Sequence, residues 1–192
     1  LQGTTTSLQG NIVNNAAVVF NQSTNGTYAG NMSGTGGLAL TGTANVTLSG
    51  TNSYTGGTTV SGGTLTGTTT SLQGNILNNA AVMFAQSTDG TYAGNMSGTG
   101  GLTKSGAGNL TLTGANSYTG GTMVSGGTLT GTTASLQGDI LNNAAVVFDQ
   151  AADGTFAENV TGTGGLTKSG TGNVTLAGAN SYTGGTTVSG GT

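Results

Sequence analysis

The stretch Asn109-Leu110-Thr111-Leu112-Thr113-Gly114 alternates apolar with polar residues and closes on glycine. A period of two marks a β-strand with one buried face, because successive side chains of an extended chain point to opposite sides. Thr128-Leu129-Thr130 repeats the pattern. One segment competes as a helix, Asn78-Asn79-Ala80-Ala81-Val82-Met83-Phe84, but it is shorter than ordinary helices and is flanked by turn formers. The chain carries 40 glycines in 192 residues, and each one inside a helix would cost about 1 kcal/mol relative to alanine. The expectation is therefore all-β, with threonine and valine in strands and glycine and asparagine at the corners.

Beyond that stretch the sequence repeats with a fixed period. SLQG recurs at Ser7, Ser71 and Ser135, and NSYTGGT at Asn52, Asn116 and Asn180, which divides the chain into repeats 1–64, 65–128 and 129–192. Such a period signals a solenoid whose units stack on their neighbours. The chain begins and ends in the same phase, as expected of an excerpt, 1–192, from one continuous β-solenoid. The interval from Tyr92 to Tyr118 and the longer one from Tyr118 to Phe156 read as one coil and then two. They suggest about three coils of roughly 21 residues per repeat, about nine coils in total, and a rod on the order of 43 Å long at the usual strand spacing.

The first and second repeats differ at 14 of 64 positions, as do the second and third, which provides an internal substitution series. Val13/Leu77/Leu141, Val46/Leu110/Val174, Met32/Met96/Val160 and Tyr28/Tyr92/Phe156 stay apolar or aromatic, so these sets are expected to face inward. Leu40/Lys104/Lys168, Gly30/Gly94/Glu158 and Thr59/Met123/Thr187 change type and are expected to face solvent. Asn25/Asp89/Asp153 precedes glycine in every copy, as in a turn that visits the left-handed region.

Composition narrows the function. The chain lacks Pro, Cys, His, Trp and Arg, and its two lysines and five acids leave a net charge of −3. No basic stripe can neutralise phosphates, which argues against nucleic acid. Without cysteine there is no disulfide framework or thiolate metal site. No run approaches the ~18 apolar residues of a membrane span, so direct membrane insertion of this segment is not expected, and no charged region precedes an apolar one at Leu1. The carboxylates are Asp89, Asp139, Asp149, Asp153 and Glu158. Four of them lie in the third repeat, where the first has Asn11, Asn21, Asn25 and Gly30. No histidine or arginine accompanies them for acid/base work, so no catalytic, cofactor-binding or metal residues are assigned, no cofactor is expected, and the chain is not expected to be an enzyme. The GGxGxDxUx signature of calcium-binding rolls is absent, and the counterparts of Asp149 and Asp153 are Ala85 and Asp89. Thr64-Leu65-Thr66, Thr111-Leu112-Thr113 and Thr128-Leu129-Thr130 have the spelling of ice-binding ladders but occur only once or twice per three coils.

From Gly100 to Leu129 the chain reads GGLTKSGAGNLTLTGANSYTGGTMVSGGTL. This resembles the autotransporter-associated β-strand repeat of bacterial type V passenger domains, in the order GGLTKSG, GNLTL, NSYTGGT and VSGGTL. The resemblance covers about half of each unit. It recurs from Gly164 to Thr192 and, with Ala39-Leu40-Thr41-Gly42 in place of the lysine segment, from Gly36 to Leu65. It implies a right-handed parallel β-helix, an extracellular location on the bacterial surface (outer membrane-anchored) or secreted, and a family without a shared active site. The expected function is a non-catalytic structural or adhesive rod, whose partners would be a host or neighbouring cell surface or matrix. The alternative is a self-assembling extracellular matrix fibre, since an uncapped β-helix end permits head-to-tail association. An ice-binding β-helix is the third reading.

Overall fold

The computed structural model describes every residue, Leu1–Thr192. All strand pairings are parallel and join segments one coil apart, as in Leu65↔Val82 and Leu102↔Thr122. The chain is thus wound into an all-β, right-handed parallel β-helix. Its walls are sheets of seven, eight and six strands, with two further two-stranded sheets.

One outward column runs Thr27, Thr47, Thr66, Met83, Thr103, Met123, Leu141, Thr161. Seven steps carry it from Thr27 to Thr161, so a coil takes roughly 19 residues and a repeat makes about three and a third coils. The extra third of a turn rotates each repeat onto the next face. Ala17–Phe20 lies in the seven-stranded sheet, its counterpart Ala81–Ala85 in the eight-stranded one, and Ala145–Asp149 in the six-stranded one. Three repeats restore the phase.

The short coils arise at one corner. Ser71 and Leu72 both donate their N–H to the Thr68 carbonyl, at 3.1 and 2.9 Å, and Ser71 Oγ accepts the Thr68 N–H at 2.8 Å. This single helical turn takes the place of a strand. Gly67 lies under it, where a Cβ would strike Ser71 Oγ and Leu72. The same turn forms at residues 4–8 and 132–136.

Inside, side chains stack in columns such as Leu65, Val82, Leu102, Thr122, Ile140, Val160. The apolar members belong to one core of 31 buried residues. A tilted aromatic pair occurs in each repeat, Phe20–Tyr28, Phe84–Tyr92 and Phe148–Phe156, with centroids 5.4, 5.0 and 5.2 Å apart, within the favourable range for edge-on contact.

Most expected faces hold. Met32, Met96 and Val160 are buried, as are Val46 and Leu110 and the Tyr28/Tyr92/Phe156 set, whereas Met123, Thr187 and Glu158 are exposed. Three expectations are corrected. Val13, Leu77 and Leu141 point outward, 74, 44 and 42% exposed. The neighbours Ile76 and Ile140 take the inward position together with Asn78 and Asn142. Asn78 can sit inside because Nδ2 donates to the Gly101 carbonyl at 2.9 Å and Oδ1 accepts the Ala80 N–H at 3.2 Å. Leu40, Lys104 and Lys168 are buried, not solvent-facing. Finally, no residue other than glycine has positive φ, so Asn25, Asp89 and Asp153 do not occupy the left-handed region.

Candidate functional surface

The two lysines are the only basic side chains of the chain, and both turn inward. Lys104 Nζ donates to the carbonyls of Ser105, Gly106 and Gly126 at 2.9, 2.9 and 2.8 Å. Lys168 Nζ donates to those of Gly170 and Gly190, each at 3.0 Å, and to that of Ser169. Three carbonyl dipoles replace the hydration shell of the ammonium, without which burial would be prohibitive. The cage depends on a left-handed glycine, Gly106 with φ 80° or Gly170 with φ 75°. Its counterpart Gly42 has no positive φ, and there Leu40 fills the position. Burial lowers the pKa of Lys104, and the nearby Asp89 partly opposes that shift. With both ammonium groups inside, the rod has no exposed basic side chain.

All five carboxylates are exposed. They are spread along the corners, where their oxygens serve the backbone. Asp89 Oδ1 accepts the Asn109 N–H at 2.8 Å, Asp139 Oδ1 that of Asn159 at 2.9 Å, and Asp153 Oδ1 that of Asn173 at 2.8 Å. Asparagines do the same elsewhere: Asn25 Oδ1 accepts from Asn45 and Asn11 Oδ1 from Asn31, both at 2.9 Å. This explains the Asn/Asp interchange, since either side chain offers the Oδ1 that holds the next coil. Asp149 Oδ1 accepts from Ser169 Oγ at 3.0 Å. No three of the acids gather as a metal would require.

Threonine lines the faces unevenly. On the eight-stranded sheet the outward column Thr27, Thr47, Thr66 gives way to Met83, whereas on the six-stranded sheet the column Thr91, Thr111, Thr130, Val147, Thr167, Thr187 is threonine but for Val147. The threonine ladder of the six-stranded sheet is thus interrupted once, at Val147.

A concavity of about 510 Å³ lies on the eight-stranded sheet over Gly101–Ser105, Thr122–Val124, Ile140–Asn142 and Val160–Thr161. Met123 and Leu141 are neighbours in the outward column and form its apolar floor. One wall is low because Gly120 and Gly121 carry no side chain; Gly121 has φ 81°, and a Cβ on Gly120 would strike the backbone of Gly100 and Gly101. Asp139 stands at the rim; Glu158, beside Asn159 on the next coil, lines a neighbouring concavity that shares Asp139. Nothing in the sequence pattern marks Met123 and Leu141 as a pair. They belong to different repeats and meet only through the register.

The repeat's inner surface is closed and fully satisfied. Tyr92 Oη donates to the Gly74 carbonyl at 2.6 Å, and Tyr118 Oη shares a hydrogen with Thr122 Oγ1 at 2.7 Å. Burial pushes the Tyr118 hydroxyl up to about 12, against a smaller opposing effect of the Thr122 hydrogen bond, and raises those of Tyr28, Tyr54 and Tyr92. Every buried side-chain nitrogen and oxygen has a hydrogen-bond partner.

The Passenger-associated-transport-repeat family model matches residues 38–66, 102–130 and 166–192, once in each repeat. Each match runs from an inward leucine through the Lys104 cage, or its Leu40 and Lys168 counterparts, and the NSYTGGT corner. The chain is also 51% identical over 79 residues to the Adhesin BmaC autotransporter of Brucella suis biovar 1 (strain 1330). That match covers 39% of this chain and 2% of the adhesin's length. No solved structure matches the chain.

Proposed function

Because this chain is built on three passenger-associated-transport repeats, the β-solenoid repeat of autotransporter passengers, we propose that it is a stretch of rod that carries an adhesive passenger outward from a bacterial surface. The observation that carries this reading is the seamlessness of the stack. Thr64–Gly67 straddles the boundary between the first and second repeats, and it pairs with Val46–Leu48 below and Ala81–Ala85 above without a break. A stack with no joints transmits length and stiffness, because each coil contacts only its neighbours and any number can be added.

The surface chemistry supports a rod that adheres without catalysis. Its exposed charges are carboxylates at the corners, most of them engaged with backbone N–H groups. Neither an acid/base pair nor a basic patch is present to draw phosphate or sulfate polymers. Adhesion by the matched Brucella protein is named for a chain of which this match spans 2%, so its extension here is part of the proposal.

The test is display of the whole segment, residues 1–192, on a bacterium, with and without a terminal binding module. A rod that adheres by itself gives cell or matrix binding without the module. A stalk gives binding only with it, and in proportion to the length displayed. If binding through the module is unaffected when the segment is removed, and the segment alone binds nothing, both roles fail.

A further inference from the structure

The three repeats are nearly identical, so their differences show where one copy has been specialised. Five differences gather in or beside the groove over Thr122–Val124 and Ile140–Asn142. Rotation of the repeat places an equivalent position on the seven-stranded sheet, where the outward column is Ala39, Thr59, Leu77, Ser97. At the groove the corresponding column is Thr103, Met123, Leu141, Thr161. At the rim Asp139 replaces Asn75, and in the adjoining concavity that shares Asp139, Glu158 replaces Gly94. The groove therefore acquires a long apolar side chain and a carboxylate at its rim, with a second carboxylate on the adjacent coil just beyond it, while its rotated twin keeps Thr59, Asn75 and Gly94.

We propose that this groove is a docking site for an extended peptide segment of a partner protein, one that lays an aliphatic side chain on Met123 and Leu141 and sets a lysine or arginine against Asp139 and Glu158. Charge complementarity selects this occupant. Asp139 Oδ1 is used by the Asn159 N–H, but its second oxygen and the whole Glu158 carboxylate face solvent at one corner, two like charges that a single cation relieves. A second copy of this chain cannot supply a side-chain cation, because Lys104 and Lys168 are both buried with Nζ held by three carbonyls. Nucleic acid and anionic surfaces are repelled by the same carboxylates. The concavity, about 510 Å³, is of a size that takes a few residues of extended chain. The assignment rests on the surface-rod reading only for where the partner is met; the groove itself is tested in solution, so either can fail alone.

The experiment uses the full chain, residues 1–192, and fluorescence anisotropy of a fluorescein-labelled peptide, glycine-leucine-lysine-leucine-glycine, with a glutamate-for-lysine peptide as control. Saturable binding of the lysine peptide alone is expected, weakening as added salt screens the carboxylates. D139N/E158G and M123T should each weaken it at least tenfold. These substitutions install the residues of the rotated twin, so unchanged thermal unfolding is expected and separates loss of the site from loss of the fold. Conversely, T59M/N75D/Y92F/G94E should add a second site and double the stoichiometry. The proposal is overturned if the lysine peptide does not bind, if the folded variants bind it as the parent does, or if M123T instead abolishes self-association seen by sedimentation.

Discussion

At the scale of single residues, the buried lysines matter most. Lys104 fills a position that Leu40 fills in the first repeat, so the ammonium is tolerated only with its cage. Substitution K104L leaves the carbonyls of Ser105, Gly106 and Gly126 without their donor, at an expected cost of about 2–3 kcal/mol in urea unfolding. Replacing the whole segment 104–108 by the sequence of 40–44 should recover most of that, because the first repeat turns its corner without the left-handed glycine. If K104L alone is neutral, the cage contributes nothing. The tyrosines set the alkaline limit. Each raised hydroxyl ionises near 10.0 in the unfolded chain and later in the folded one, where Tyr118 waits until about 12. Above pH 10 the unfolded state therefore holds fewer protons, and stability falls, for Tyr118 by about 1.4 kcal/mol per pH unit until 12. Lys104 acts in the opposite sense below 10.5, since its folded ammonium gives up its proton first and stability rises across that window. The net expectation is a decline that steepens above about 10.5 in urea titrations, and that becomes shallower in Y118F.

At the scale of the coil and its corner, two substitutions in the third repeat explain each other. A Cβ at Gly94 would strike the Gly74 carbonyl first and then Tyr92, whose Oη lies 2.7 Å away and donates to that same carbonyl. In the third repeat the tyrosine is Phe156 and the glycine is Glu158. Removal of the hydroxyl relieves one of these contacts and frees the Gly74 carbonyl to shift away from the larger residue. G94E alone is therefore expected to destabilise by about 2–3 kcal/mol, in the range for overpacking. Y92F/G94E should recover about 1 kcal/mol or more as a coupling energy of the usual size for touching residues. A double-mutant cycle with additive costs would refute the link. The corner ladders follow similar logic. Their side-chain Oδ1 atoms each hold the backbone of the next coil, which is why Asn25 becomes Asp89 and Asp153 with no change of geometry. The sequence displayed this interchange but suggested a left-handed turn, because an Asn-Gly pair reads the same whether its oxygen bonds locally or to a coil far along the chain.

At the scale of the molecule, the decisive quantity is the coil length. The coil that sets Val82 beside Leu65 is shorter than the one that sets Thr122 beside Leu102. Neither divides the repeat evenly, and the remainder turns every repeat by a third of a revolution. A feature borne once per repeat is thus presented on three faces in succession, about 16 Å apart along the axis at the usual strand spacing. Spin labels at T59C and M123C, equivalent positions on different faces, should lie farther apart than that rise, beyond about 20 Å. A separation equal to the rise would mean an unrotated stack. The same register recurs at Thr59 and Leu77, so the groove is singular through its substitutions, Met123 in place of Thr59 and Asp139 in place of Asn75.

The repeat, the period-two strands, the all-β solenoid of about three coils per unit and the poverty of catalytic groups are all legible in the order of residues. They are local or periodic properties that survive in one dimension. Most of the inward sets are legible too, since Met32/Met96/Val160 and Val46/Leu110/Val174 stay apolar through every change. The remainder depends on segments that meet only after folding. Leu77 faces outward because the amide of Asn78 is stable inside, where the local Ala80 N–H and the Gly101 carbonyl of the next coil meet it, and only the closed stack brings that carbonyl to it. Lys104 turns inward for the same reason. The rotation, and with it the groove, is an accumulated sum over corners such as residues 68–72, each of which shortens its coil. No single corner reveals that sum, and it is the closed stack that fixes which side chains come together.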